Sequence, residues 1–182
     1  IKPNDHEVRS FCEWLFEEHG YDFRGYQTPP LSKSLSILMT KHNQLTVSSL
    51  IHSFEANQTP VQAIIAGITV TTSSMFRDPH AFATLVAEVF PYLRTYSSFK
   101  IWHAGCARGE EAYALAILLK EHGLLERARI YATDVNPLIL GEARKGIYPI
   151  RRLKDFTQNY IAAGGQGSLA SYFEIHYGWA KI

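Results

Sequence analysis

The sequence predicts an α/β protein in two parts, a small all-helical domain over residues 1–67 followed by a doubly wound parallel-sheet domain over 68–182. Three observations lead there. Amphipathic helical stripes fill the first seventy residues with no extended run between them. From Phe99 to Lys145 the order is strand, glycine turn, helix, strand, acid, helix, which begins a parallel sheet with crossover helices. The 182 residues are 46% apolar, 13% aromatic and only 19% charged, enough core-forming side chain to exclude a disordered tail.

The helical part is read from spacing and punctuation. Val8, Phe11, Cys12, Leu15 and Phe16 repeat at helical intervals, with Asp5 available as N-cap and Gly20 as the stop. After a break at Pro29-Pro30, Leu31, Leu35, Leu38 and Met39 make a second stripe. Val47, Leu50, Ile51 and Phe54 make a third behind a Thr46 cap. Pro60 opens a short fourth that runs through Ile64 and Ile65 to Gly67. None of these helices is long enough to persist alone in water, so they must pack.

At Ile68 the pattern changes. Ile68 to Thr72 is β-branched and extended in character, and Asp78-Pro79 then supplies the cap and first turn of a helix carrying Phe82, Leu85, Val86, Val89 and Phe90. Phe99–Ala104 reads as a strand running through Gly105–Gly109 into a helix from Glu110 that is apolar almost all round. Arg129–Thr133 is a second strand ending on Asp134, and Asn136, Pro137 and Gly146 punctuate the next helix. Beyond Ile147 the signal fades into a basic cluster of Arg151, Arg152 and Lys154, a glycine-rich turn and a crowd of aromatics. With two parallel strands legible, the sheet domain reads as incomplete at its C-terminal end.

Charge excludes some function classes. Eighteen basic residues against 17 acidic leave no global field toward nucleic acid or an anionic membrane, although the chain is net −2 before Val70 and +3 from there on. Cys12 and Cys106 match no metal or disulfide pattern, which suits a reducing, cytoplasmic setting. No apolar run is long enough to span a bilayer. The eight histidines show no ligand spacing, so no metal is assigned.

The chemistry points to the first turn of the sheet. Gly105 and Gly109 let a ligand approach bare backbone, and Asp134 at the next strand end can accept from ribose hydroxyls. The spacing is Gly-x-x-x-Gly rather than the dinucleotide Gly-x-Gly-x-x-Gly, and Glu110 and Glu111 stand where a pyrophosphate needs positive charge. An S-adenosyl sulfonium with its ammonium fits this turn better than NAD does. The plainer alternative is that both glutamates are ordinary first-turn acids and that Asp134 merely begins a helix. Thr71 to Asp78, with hydroxyls, an aromatic and Arg77, could line a pocket lid, or be a hydroxyl-rich helix start with Arg77 on the surface.

These residues also carry a resemblance. Thr71 to Asp78 is similar to the Thr-x-Phe-Phe-Arg-Asp signature of CheR-type methyltransferases. Ile101 to Ala116 resembles their Trp-Ser-Ala-Gly-Cys-x-x-Gly-Glu-Glu-x-Tyr-Ser segment, and Ala132-Thr133-Asp134 with Ala143 to Tyr148 resembles their Ala-Thr-Asp and Ala-Arg-x-Gly-Ile-Tyr runs. Met75 in place of the first Phe and Ser73 in place of Thr are departures. The resemblance implies a Rossmann-like domain that uses S-adenosylmethionine to methylate glutamate side chains on the cytoplasmic part of bacterial chemoreceptors, releasing S-adenosylhomocysteine. It implies cofactor contacts at Thr71, Ser73, Arg77, Gly105, Gly109, Glu110 and Asp134, with Asp134 on the ribose and Glu110 on the methionine amine. Arg77 is the catalytic candidate, expected to orient the substrate carboxylate or close the pocket, because a glutamate with a reference pKa of about 4.3 needs no base at neutral pH. A protein partner, no nucleic acid, no membrane insertion and a cytoplasmic place follow. Two rival readings are methylation of another protein and a non-catalytic cofactor-binding or interaction module.

Overall fold

Asn4, not Asp5, caps the first helix of the computed structural model, which describes residues 2–69 and 73–182. Its side chain accepts from the Glu7 amide at 3.0 Å while Glu7 accepts from the Asn4 amide at 2.9 Å, so two end donors of α1 (Asp5–His19) are satisfied reciprocally. Gly20 ends α1 in the left-handed region. In α2 (Thr28–Lys41) the two prolines lie inside the first turn instead of ahead of it, since their fixed φ suits a helix start and their missing N–H is not needed there. Thr46 caps α3 (Val47–Ala56), and α4 (Val61–Ile68) follows Pro60. A Cβ on Gly67 would fall 2.6 Å from Leu38 Cδ2, so glycine is what lets α4 lie this close to α2. Phe11, Leu15, Leu35, Leu50, Phe54, Ile64 and Ile65 form one core within the unit of residues 1–70.

The expected extended stretch from Ile68 is only partly visible. Ile68 closes α4, Thr69 is extended, and Val70, Thr71 and Thr72 lie outside the described residues.

Residues 71–182 form the second unit. The single helix expected after Asp78 is broken in three: α5 (Pro79–Thr84), a π-helical turn over Leu85–Val89, and α6 (Phe90–Leu93). Pro91 explains the break. It lacks an N–H for the bond to the fourth preceding carbonyl and its ring crowds that carbonyl, and a widened turn relieves both. Strands β1 (Phe99–Ala104) and β2 (Ala128–Thr133) pair in parallel from Phe99↔Ala128 to Ala104↔Thr133, joined by α7 (Glu110–Glu121). Phe99, Ile101, Ala128 and Ile130 pack on a core that includes Ala114, Leu115, Leu118 and Leu119. The opposite face of this sheet presents Trp102, 73% exposed, and Tyr131, 45% exposed.

After β2, α8 (Pro137–Lys145) is capped by Asn136 and ended by Gly146. The region without sequence signal folds as β3 (Ile147–Pro149), α9 (Leu153–Ala162), β4 (Glu174–His176) and β5 (Trp179–Lys181), the strands forming an antiparallel sheet in the order β3-β5-β4. Three-residue strands are too short to show a period of two. Helix α9 returns Phe156 and Tyr160 to the core under α7. The unit is mixed helix and strand, in agreement with the α/β expectation.

Candidate active site

The C-terminal ends of β1 and β2 meet at a turn held by three backbone–backbone bonds and one from a backbone amide to a side chain. The amides of Gly105 and Cys106 both donate to the Thr133 carbonyl, at 2.8 and 2.9 Å, and the Gly109 amide donates to the Cys106 carbonyl at 2.8 Å. The Ala107 amide donates to Asp134 Oδ2 at 2.8 Å. Three of the five turn residues, Gly105, Ala107 and Gly109, have positive φ. At Gly109 a Cβ would meet Tyr113 Cε2 at 3.1 Å, whereas at Gly105 it would meet nothing within 4 Å. Gly109 is therefore glycine for packing, and Gly105 leaves open space over bare backbone.

Asp134 does two things. Its Oδ1 accepts from the Asn136 amide at 2.9 Å and its Oδ2 from Ala107, so it braces the turn before any ligand arrives. A carboxylate has about four acceptor positions, and two remain for hydroxyls. The N-cap of α8 is Asn136, not Asp134, which answers the plainer reading of that acid.

Glu110 is the most informative residue. It begins α7, is fully buried, and its Oε1 accepts from Arg152 Nη1 at 2.7 Å. Its Oε2 is buried and has no hydrogen-bond partner among the described residues. Arg152 Nη2 also donates to the Ser73 carbonyl, and its guanidinium lies 4.8 Å from the Phe156 ring. Glu111, by contrast, is half-buried with no ion pair among the described residues. Two tyrosines complete the frame: Tyr148 donates to the Arg108 carbonyl at 2.9 Å, and Tyr113 to the Ala143 carbonyl at 3.0 Å. Burial, with the nearby Glu110 charge, pushes the Tyr148 hydroxyl well above its ordinary pKa, so it stays a donor. Burial and the charge of Asp134 likewise push the Cys106 thiol up, which leaves it an inert packing group.

Of the residues expected from sequence, the structure gathers Gly105, Gly109, Glu110 and Asp134 at one turn and ties Ser73 to them through Arg152. Thr71 lies outside the described residues. Arg77 is exposed beside Phe76, whose φ of 53° is a strained value for an aromatic residue, and it pairs with neither Glu110 nor Asp134. Sequence reasoning missed Arg152 and Tyr148. The signal available was physical: an acid in an apolar helix needs a buried counter-charge, and the cluster of Arg151, Arg152 and Lys154 was one of several downstream sources of it.

This arrangement suits one kind of ligand. An orphaned buried carboxylate oxygen calls for a cationic donor, the spare positions of Asp134 call for hydroxyls, and the open backbone at Gly105 allows close approach. S-adenosylmethionine, with an ammonium at one end and a ribose between, fits all three. Behind the turn a cavity of about 260 Å³ lies between α7, β2 and α8, with a mostly apolar wall including Ala112, Ile130 and Ala143. It offers little to an amine or a sugar.

Cher3 of Pseudomonas putida is 40% identical over 177 residues, which is 97% of this chain and 65% of that protein. Chemotaxis protein methyltransferases of Listeria monocytogenes and Vibrio cholerae are 26% and 29% identical, each over 81% of this chain and 57% of its own length. The chain thus spans less than two thirds of the length of these curated relatives. A family model described as "CheR methyltransferase, SAM binding domain" matches residues 71–172, taking in the turn, Glu110, Asp134 and Arg152. That match covers more than half of the sequence, and the chain belongs to the CheR methyltransferase family.

Proposed function

We propose that this protein transfers the methyl group of S-adenosylmethionine to glutamate side chains on the cytoplasmic part of bacterial chemoreceptors, giving methyl esters and S-adenosylhomocysteine. The observation that carries the reading is Glu110, buried at the start of α7 with one oxygen neutralised by Arg152 and the other free for an ammonium. The names of the Listeria and Vibrio relatives support the choice of reaction. Bound S-adenosylmethionine supplies an electrophilic methyl group on a sulfonium, which an ionised carboxylate attacks in line.

The residues divide the work. Glu110 Oε2 takes the ammonium and Asp134 the ribose, fixing the donor at two points, and orientation of this kind provides much of the acceleration. Gly105 and Gly109 hold the turn open and rigid. Ser73 contacts the donor or borders its methyl group, a role the resemblance also implies for Thr71, and Arg77, which is exposed, orients the incoming carboxylate or closes the pocket. No general base is needed, because the glutamate is already ionised at neutral pH. The finer fold belongs to the same reading: a small helical domain and a doubly wound, Rossmann-like methyltransferase domain, supported by the parallel β1–β2 pair and its α7 crossover. No described helix is long and apolar enough to cross a membrane, and a cytoplasmic place is part of the proposal.

The test uses the complete protein, S-adenosylmethionine labelled in the methyl group, and the cytoplasmic fragment of a chemoreceptor. Label that transfers to the receptor and is released as methanol by mild base is the expected result. Label that resists base, or no transfer to any receptor fragment while the protein binds the donor, would overturn it.

A further inference from the structure

Arg152 neutralises one oxygen of Glu110, and its geometry assigns it more than that. It comes 42 positions after Glu110, from the turn between β3 and α9, and is partly buried, with 28% of its side chain exposed. Its two donors go to different places: Nη1 to Glu110 Oε1, and Nη2 to the backbone carbonyl of Ser73. The face of Phe156 beside it restricts the plane of the guanidinium. A carboxylate is planar, so fixing Oε1 against a fixed fork also fixes the direction of Oε2.

We propose that Arg152 is a positioning residue for the methyl donor: it pairs with Oε1 of the buried Glu110, aims the free Oε2 at the donor's ammonium, and holds the Ser73 segment against the same carboxylate. The inference rests on the reading of the turn as the S-adenosylmethionine site and adds a member to it from a different part of the chain. Its logic is geometric. A carboxylate buried in an apolar helix start is costly without a counter-charge, and Arg152 supplies one at 2.7 Å. One arginine on one oxygen leaves the other oxygen free for a ligand, which two cations or a fully bonded carboxylate would not. Lysine could supply the charge but not the bidentate reach to both Glu110 and Ser73.

The distinguishing feature is that the contact Arg152 sets, Glu110 Oε2 to the ammonium, lies at the amino-acid end of the ligand. Isothermal calorimetry on the complete protein and its Arg152→Met and Arg152→Lys variants should compare S-adenosylhomocysteine with methylthioadenosine, which carries the nucleoside and sulfur but no amine or carboxylate. Arg152→Met is expected to weaken S-adenosylhomocysteine by roughly tenfold to a hundredfold, the range of a lost charge-assisted bond, and to leave methylthioadenosine within about twofold. Arg152→Lys should fall between parent and Met for the first ligand only. Equal weakening of both ligands would assign Arg152 a merely structural role and overturn the proposal. Unchanged S-adenosylhomocysteine affinity in Arg152→Met would also overturn it while leaving the proposed function standing. A parent protein that bound neither ligand would overturn the functional reading itself, and this inference with it.

Discussion

Replacing Glu110 with Gln keeps the side-chain volume and removes the charge on which the site is built. Glu110 is fully buried, so solvent does little to screen the loss, and the affected contact is the one between Oε2 and a ligand ammonium. A hydrogen bond to a charged group contributes about 1.5–3 kcal/mol, which corresponds to roughly 13- to 160-fold in affinity. The amide can still offer its oxygen to Arg152, so the fold should survive, although the pair loses its charge complement and the melting temperature should drop by several degrees. The matched control is Glu111→Gln, one residue on, which makes the same change in net charge at a half-buried acid with no ion pair among the described residues. Titration of both variants with S-adenosylhomocysteine is the assay. The expected result is a loss of one to two orders of magnitude for Glu110→Gln and less than about twofold for Glu111→Gln. Equal losses would mean that a diffuse acidic field, not the buried carboxylate, attracts the ligand, and no loss in a folded Glu110→Gln protein would refute the reasoning.

Three further outcomes follow from the same geometry. Tyr148→Phe removes the donor to the Arg108 carbonyl; the net loss of one such hydrogen bond costs about 0.5–1.5 kcal/mol, read as a lower denaturant midpoint with the slope unchanged. Gly109→Ala meets Tyr113 Cε2 at 3.1 Å and a φ of 84°, so about 1–2 kcal/mol of left-handed strain should appear as lost stability; Gly105→Ala carries similar strain but no clash, and should in addition weaken ligand binding, which calorimetry reads separately from melting. At alkaline pH, burial and the Glu121 carboxylate push the Tyr160 hydroxyl up to about 12, above its value near 10 in an unfolded chain. The stability this adds is complete below pH 10 and is lost as pH rises toward 12, so the urea midpoint followed from pH 8 to 12 should fall in that window. A midpoint flat to pH 12 would show that Tyr160 makes no such contribution.

How much of this was legible before the fold was known depends on whether the signal is local. The strand Phe99–Ala104 ends in the structure where the sequence places it, because a glycine turn and a capped helix leave few alternatives. The Asn4 cap was equally readable, since Asn4 and Glu7 have the spacing of a reciprocal capping box. Pro91 inside a helical stripe announces a disturbance, but not that a π-helical turn absorbs it. The short strands β3, β4 and β5 carried no periodicity, and their pairing depends on tertiary context.

Arg152 marks the limit most clearly. In the sequence it is one of three cations in a cluster, and nothing local separates it from Arg151 or Lys154. What selects it is the path of the chain: α8 ends at Gly146, β3 runs back beside β5, and the turn that follows brings position 152 to the start of α7 while Arg151 and Lys154 remain exposed. The acid was visible and its need for a partner could be stated from charge burial alone, but the identity of the partner required the fold. A site assembled in this way ties ligand recognition to the placement of β3 and α9, so substitutions that disturb their packing, far from the glycine turn in sequence, should weaken the amine contact before they unfold the domain.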